Sequence, residues 1–185
     1  MVRKRKIIVL MASSTDGYIA RPDGSVDWLD RPSPKGNYGM DAFYKSIDTI
    51  LWGRKTYEVA VEFQRKGVPG SAFDRKIKNC VFTHTLPQSN APAGIEFVAE
   101  PIKAFATSLR EIPGKHIWMM GGAGIAASFL DEGEIDELII HVIPVLIGEG
   151  IPLIAARHRT VPLKLISCKK FPDGVVSLHY IVRRG

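Results

Sequence analysis

Two glycine-containing segments have the residue types that bind phosphate groups. The first, MMGGAGI at residues 119–125, follows an apolar run and precedes a predicted helix. Glycine has no Cβ atom, so its backbone N–H groups can approach a ligand closely, and the N-terminus of a helix carries about half a positive charge. The segment therefore favours a nucleotide pyrophosphate, with a tight strand-to-helix turn that binds nothing as the alternative.

The second segment is WGRKTYE at residues 52–58, again between a predicted strand and a predicted helix. Arg54, Lys55 and Thr56 would supply guanidinium, ammonium and hydroxyl donors to a phosphate. The alternative is a solvated helix start that Thr56 caps. Because both segments follow strands, they predict two anion sites at the carboxyl ends of a sheet, which fits a ligand with phosphates at both ends.

Other chemistry is poorly supported. Residues 122–127, GAGIAA, match the GxGxxG/A dinucleotide fingerprint, but no acidic residue ends the following predicted strand, so we disfavour a standard Rossmann domain. The five histidines lack metal-ligand spacing, and no GxSxG or Cys/His arrangement indicates covalent catalysis. We predict no metal site, and ordinary strand positions for Cys80 and Cys168.

Alternating strand and helix patterns must position these residues. The apolar run at 6–12 predicts a strand buried on both faces, and the turn-rich loop at 13–38 is longer than connections in compact domains usually are. Further strands are predicted at 49–52, 79–83, 95–99, 116–120 and 137–145, and helices near 40–47, 56–64, 102–112 and 125–130. Residues 116–145 thus form a predicted βαβ unit. The turn Pro172-Asp173-Gly174 between 163–170 and 175–182 predicts an antiparallel hairpin.

Length and charge narrow the class of protein. The chain has 185 residues, which predicts a single domain over 1–185, and a formal net charge of +6. Six of the basic residues lie at the two ends: Arg3, Lys4, Arg5, Lys6, Arg183 and Arg184. The rest of the chain has as many acidic as basic residues. We interpret these ends as solubilising, because a nucleic-acid binder would carry its excess across a folded face. No apolar stretch approaches the roughly 18 to 20 residues of a membrane span, so we expect no membrane partner and a cytoplasmic location.

Five segments in the same order and at similar spacing carry a resemblance to a known family: KIIVLMASSTDGYIA, WGRKTYE, NCVFTHT, WMMGGAGIAASFL and IPVLIGEGIPLI. They resemble the dihydrofolate reductase superfamily and, more narrowly, the reductase domain of the bifunctional riboflavin-biosynthesis deaminase-reductase and its stand-alone relatives. The resemblance spans nearly the whole chain. It implies an α/β, dihydrofolate reductase-like fold with a central, mostly parallel sheet of about eight strands, an antiparallel C-terminal hairpin and flanking helices.

By position, the resemblance also implies NADPH as the cofactor and four groups of residues that bind it. The first group approaches the nicotinamide, the second holds phosphates, the third lies beside the adenosine end, and the fourth lies over the pyrophosphate and nicotinamide. The groups are, in turn, Ala12, Asp16, Gly17 and Ile19; Gly53, Arg54, Lys55 and Thr56; Thr83 and His84; and Gly121, Gly122, Ala123, Gly124 and Ile125. Arg54 near the 2′-phosphate would favour NADPH over NADH.

On the substrate side, the resemblance implies Trp28, Asp41, Tyr57 and Glu149. Asp41 is the nearest match to the carboxylate that binds and helps protonate the pterin in dihydrofolate reductases, which makes it the candidate catalytic acid. The alternative is an acid that only complements the helix dipole. Trp28 either contacts the substrate or anchors the loop on the core, and Glu149 either reaches the substrate or is a solvated turn residue.

We therefore expect an NADPH-dependent reductase that transfers a hydride to a small heterocyclic or imine-like substrate, of the pterin or 5-amino-6-ribosylamino-pyrimidinedione phosphate type. The alternatives are a nucleotide-binding protein of this fold without turnover, a nucleic-acid-binding protein that uses the basic ends, and a different NAD(P)H oxidoreductase. Relatives of this type often form homodimers. The apolar segment 139–153 is either part of such an interface or a central strand.

Overall fold

The computed structural model describes residues 5–30, 36–68, 73–74 and 76–183. The predicted basic residues Arg3, Lys4 and Arg184, and residues 31–35 of the predicted long loop, lie outside these ranges. The strands are β1 (Ile7–Ser14), β2 (Tyr18–Ala20), β3 (Ile47–Gly53), β4 (Lys78–Phe82), β5 (Ile95–Val98), β6 (His116–Gly121), β7 (Glu137–Ile143), β8 (Ile151–Pro152), β9 (Leu163–Lys170) and β10 (Val176–Val182). The helices are α1 (Met40–Ser46), α2 (Arg54–Arg65), α3 (Ile102–Glu111) and α4 (Ala123–Asp131).

Eight strands form one sheet in the order β5-β4-β3-β6-β1-β7-β10-β9. Every neighbouring pair from β5 to β7 is parallel, whereas β10 is antiparallel to both β7 and β9. This confirms the predicted mostly parallel sheet with an antiparallel C-terminal pair. The short strands β2 and β8 form a separate two-stranded sheet that the sequence patterns did not predict.

Strand β1 lies near the middle of the sheet and pairs in parallel with β6 and β7. Its residues IIVLMASS are buried apart from Ala12, as the continuous apolar run predicts for a strand covered on both faces. The predicted βαβ unit is present as β6, α4 and β7, but a third strand splits it. Strands β6 and β7 are parallel to β1, but they are not neighbours, because β1 is inserted between them. The local pattern of 116–145 carries no information about a strand from the start of the chain.

Two hydrophobic clusters cover the two faces of the sheet. On one face, Val9 and Met11 of β1 pack with residues of α3 and α4, among them Phe105 and Phe129. On the other face, Leu10 packs with residues of β3, β6 and α2, and Phe43 of α1 lies against that cluster. The helices therefore cover opposite faces of the sheet in pairs, α3 and α4 on one face and α1 and α2 on the other.

Segment 139–153 includes the second half of β7, which lies between β1 and β10, so this half is a central strand and not a free surface. Both cysteines occupy strands as predicted, Cys80 in β4 and Cys168 in β9. The predicted hairpin joins β9 to β10, with Gly174 at a φ of 88° and the Phe171 N–H donating to the Val175 carbonyl at 2.8 Å. The homodimer stays a prediction. No helix among the described residues is long and apolar enough to span a membrane.

Charged side chains concentrate where β1, β6 and β7 begin. Arg5, expected in a solvated basic end, is instead 4% exposed, because its guanidinium pairs with Asp48 and donates to the Lys115 carbonyl at 2.7 Å. Arg110 of α3 pairs with Glu134 and, at 2.9 Å, with Asp136. Asp136 also accepts the backbone N–H of Ile7 at 2.9 Å, so this group ties α3 to the start of β1.

We expect Arg110→Met to lower the free energy of unfolding by about 3–5 kcal/mol, because it leaves Glu134 and Asp136 in a largely buried place without their cation. Urea unfolding measures the change. The matched control is Arg65→Met, because Arg65 is exposed and pairs with Glu62 on the surface of α2, which predicts a loss of at most about 1 kcal/mol. Equal losses for the two variants would contradict the assignment.

Candidate functional site

The two glycine segments meet at the carboxyl ends of the adjacent strands β3 and β6. Gly53 precedes α2 and Gly122 precedes α4. A Cβ atom added to Gly53 would lie 3.1 Å from Ile125 Cγ2 and 3.5 Å from the backbone nitrogen of Gly122. The starts of the two helices are thus in direct contact, and we call Gly53, Gly121 and Gly122 the glycine cradle. The structure brings together the two segments that the sequence singled out separately.

Neither helix start is capped by a side chain. The first N–H groups of an α-helix have no partner within the helix, so α2 and α4 present backbone donors side by side. A Cβ atom on Gly122 would lie 2.9 Å from Thr56 Oγ1 and 3.8 Å from Ile19 Cδ1. Thr56 and Ile19 therefore border the cradle. The prediction that Thr56 caps α2 is wrong, because Gly53 is the residue at that position.

Gly121 connects the cradle to the central strand. Its φ is +106°, a conformation that L side chains rarely adopt, and a Cβ atom there would overlap the terminal methyl of Met11. Met11 belongs to β1 and immediately precedes Ala12. Ala12, the residue predicted to approach the nicotinamide, therefore directly follows Met11, a residue that contacts the glycine cradle.

The polar residues predicted to bind phosphate and adenosine lie close to these strand ends. Arg54 Nη1 pairs with Glu58 Oε1 at 2.6 Å within α2, and Lys55 is exposed. Thr83, just after β4, is buried, and its hydroxyl accepts the backbone N–H groups of Thr85 at 3.2 Å and Leu86 at 3.3 Å. His84 is exposed. Arg54, Lys55 and His84 thus have accessible side chains, whereas the Thr83 hydroxyl is engaged by its own loop.

The loop after β1 is fixed to the segment before β8. Asp16 accepts the backbone N–H groups of Ile147 at 3.1 Å and Gly148 at 2.7 Å. A hydrogen bond with Ser14 and these two amides lower the pKa of the Asp16 carboxyl. The Gly17 carbonyl accepts the N–H of Leu153 at 2.9 Å. The carboxylate of Asp16 therefore holds the loop in place, and any contact of this loop with a cofactor would be made by its backbone and by Ile19.

The predicted substrate residues do not form one group. Asp41 is exposed in the first turn of α1, where its backbone N–H donates to Asn37 Oδ1 at 3.0 Å. Tyr57 is buried against Phe73 and Phe97, and it lines a cavity of about 270 Å³ together with Val61 and Gln64 of α2.

Glu149 is exposed between two turn glycines. Asp41, Tyr57 and Glu149 thus lie apart from one another. The fourth predicted substrate residue, Trp28, is buried beside β7. Roles for Asp41, Tyr57 and Glu149 in substrate binding stay predictions.

Trp28 lies in a third hydrophobic cluster, with Ile143 and Val175, near the carboxyl end of β7. It is 7% exposed, and its indole N–H has no hydrogen-bond partner among the described residues. A buried donor without a partner costs about 1–3 kcal/mol relative to a satisfied one. The packing agrees with the predicted loop anchor, and the free N–H offers a donor to a ligand.

Sequence reasoning missed His141, which is buried in β7 directly beside Ala12 of β1. Its ring lies 5.9 Å from that of Tyr38 and 6.4 Å from that of Phe171, centroid to centroid. Burial lowers the pKa of His141, so its imidazole is neutral at pH 7. The available signal was a single polar residue in the apolar run LIIHVI, which by itself is also compatible with a core histidine.

Comparisons with known proteins agree with this architecture. The family model described as RibD C-terminal domain matches residues 5–177. The uncharacterized protein YwjB of Bacillus subtilis is 39% identical over 178 residues, which cover 96% of this chain and 98% of YwjB.

Two solved structures have the same fold. A protein from Shewanella sp. PV-4 superposes with a TM-score of 0.82 and 25% identity, over 97% of this chain and 99% of that one. Dihydrofolate reductase from Enterococcus faecalis superposes with a TM-score of 0.64 and 15% identity, over 97% of both chains. These matches confirm the predicted dihydrofolate reductase-like fold.

The glycines of the 121–124 run differ in what they require, which predicts opposite effects of alanine. Gly121→Ala should lower the free energy of unfolding by at least about 1–2 kcal/mol, because of its positive φ and the contact with Met11. Gly124 lies in α4 with no atom within 4 Å of an added Cβ, so Gly124→Ala should leave stability unchanged or raise it by up to about 1 kcal/mol. Thermal and urea unfolding measure both changes, and a stable Gly121→Ala variant would contradict the geometry of the cradle.

Proposed function

Because the chain belongs to the RibD C-terminal domain family, we propose that it is an NADPH-dependent reductase of a small heterocyclic or imine-like substrate. The substrate is of the pterin or 5-amino-6-ribosylamino-pyrimidinedione phosphate type. The observation that carries the proposal is the contact of two uncapped helix starts across the glycine cradle. A neighbour of the same fold was solved in complex with NADP(H), which supports the choice of cofactor.

The residues at the cradle fit a dinucleotide. Backbone N–H groups at the starts of α2 and α4 would bind phosphate oxygens, which helix N-termini favour by both hydrogen bonds and dipole. The missing Cβ atoms of Gly53 and Gly122 leave room that Ile125 and Thr56 border at 3.1 Å and 2.9 Å from where those atoms would be. Arg54 and Lys55 at the start of α2 would add charge-assisted contacts.

The chain's own residues would orient the reactants at the end of β1. When bound, NADPH supplies the hydride. Ala12 follows Met11, the β1 residue beside Gly121, and Ile19 borders the cradle at Gly122. Trp28 would donate its free indole N–H to an acceptor atom of the substrate. A proton for the reduced substrate would come from Asp41 or from water, because Asp41 is accessible at the start of α1.

The first experiment is a titration of the purified protein with NADPH, NADH and a mononucleotide, followed by quenching of the fluorescence of its three tryptophans. Selective binding of NADPH is the expected result. If no nucleotide binds, the cradle is only a structural turn and the proposal is wrong. If NADPH binds and no pterin or aminopyrimidine oxidises it, the protein is a nucleotide-binding relative without this turnover.

Arg54 provides a sharper test, since the 2′-phosphate is the difference between NADPH and NADH. Arg54→Ala should weaken NADPH binding by about 10- to 100-fold, the equivalent of one charge-assisted hydrogen bond, and should change NADH binding much less. The control is Glu58→Gln, which removes the carboxylate that pairs with Arg54 and keeps the guanidinium, so NADPH binding should be equal or tighter. Equal weakening of both nucleotides by Arg54→Ala would contradict the placement.

A further inference from the structure

His141 occupies the sheet position next to the predicted nicotinamide site. In the parallel pairing of β1 and β7, Ala12 is the register partner of His141, and across β10 the partner is Ser177. Register partners in a sheet present their side chains to the same face. Met11, whose side chain lies beside Gly121 of the glycine cradle, precedes Ala12 on β1, and because successive side chains of a strand point to opposite faces it is Ala12 that shares a face with His141.

His141 is 6% exposed as a residue, and no hydrogen bond joins its ring nitrogens to another described residue, but these nitrogens are not among the fully buried polar atoms. The imidazole of His141 lies beside the aromatic rings of Tyr38 and Phe171. The donor and the acceptor of this imidazole are therefore available to a bound molecule, although most of the residue is buried. The indole N–H of Trp28, near the same end of β7, is fully buried and has no partner in the described chain.

The charged groups around this end of the sheet are engaged elsewhere. Tyr38 donates its hydroxyl to Asp173 of the β9–β10 turn, and Asp16 accepts the amides of Ile147 and Gly148. Lys169 lies over the Phe171 ring, with its ammonium 5.0 Å from the centroid. With Asp173 and Asp16 each bonded, no carboxylate is recorded as a partner of the imidazole, which is neutral at pH 7 because burial lowers its pKa.

We propose that His141 is a substrate-specificity residue that hydrogen-bonds the polar edge of a neutral, planar heterocycle lying over Ala12. A neutral imidazole has one donor and one acceptor, and Trp28 adds a second donor, so together they match an amide-type edge with a carbonyl and an adjacent N–H. The flanking rings of Tyr38 and Phe171 fix the orientation of the imidazole. The inference rests on the proposed reductase function and adds a substrate contact that the family resemblance did not assign.

The test is calorimetric titration of the NADP⁺-saturated protein with 5-amino-6-ribitylaminouracil, a neutral pyrimidinedione, using wild type, His141→Phe and His141→Asn. The Phe variant keeps an aromatic ring against Tyr38 and Phe171 and removes only the nitrogens. We expect His141→Phe to weaken binding of the probe at least about 10-fold, the equivalent of one hydrogen bond, with NADP⁺ binding and thermal stability retained. The Asn variant, which has a donor and an acceptor, should bind with intermediate affinity.

His158→Asn is the matched control, because His158 is exposed in the segment after β8 and should not affect the probe. A second readout is the NMR titration of the His141 ring, in which the bound probe should hold the imidazole neutral to lower pH. The inference is overturned if wild type and His141→Phe bind the probe equally, or if NADP⁺-loaded wild type does not bind it. Failure of wild type to bind NADP⁺ would instead remove the proposed function, and with it the premise of this inference.

Discussion

The pairing of β1 with parallel strands on both sides is the constraint on which the rest of the structure depends. Parallel strands all end at the same edge of the sheet, so inserting β1 between β6 and β7 brings three carboxyl ends side by side. The glycine turn after β6, the loop after β1 and His141 of β7 become neighbours for this reason alone. Moving β1 to an outer position would separate the glycine cradle from Trp28 and His141, although every local element would be unchanged.

A second constraint acts at short range, where α2 and α4 begin. Their starts can touch only because Gly53 and Gly122 have no side chain, and the 121–122 backbone can pass Met11 only because Gly121 has none. Substitution of any of these glycines would have to displace Ile125, Thr56 or Met11. The same contacts that demand glycine leave the first N–H groups of both helices accessible. The absence of side chains at these glycines therefore permits both the close packing of the two helix starts and the access of a ligand to their N–H groups.

Much of this arrangement is predictable from the sequence, because apolar runs and turn residues are local signals. Strand β9 has the predicted limits, and β1, β3, β5 and β6 agree within a few residues. The insertion of β1 and the pairing of β2 with β8 are not predictable in this way, because they depend on contacts between distant segments. Arg5 was misinterpreted for the same reason, since the residues that bury it, Asp48 and Lys115, are far away in the chain.

The two edges of the parallel sheet carry different kinds of polar group. Paired charges lie at the amino edge, and the candidate ligand-binding groups lie at the carboxyl edge. At the amino edge, Arg5 and Arg110 are buried with their carboxylates, and removing one partner of such a group is costly. At the carboxyl edge, the indole N–H of Trp28 and the imidazole of His141 have no hydrogen-bond partner in the described chain, and no side chain caps the starts of α2 and α4. The amino edge also has one buried nitrogen without a partner in the described chain, Arg110 Nε, although the other nitrogens of that guanidinium pair with Glu134 and Asp136. The ligand proposed above would accept hydrogen bonds at the carboxyl edge with an anionic end at the glycine cradle and an uncharged end near β7.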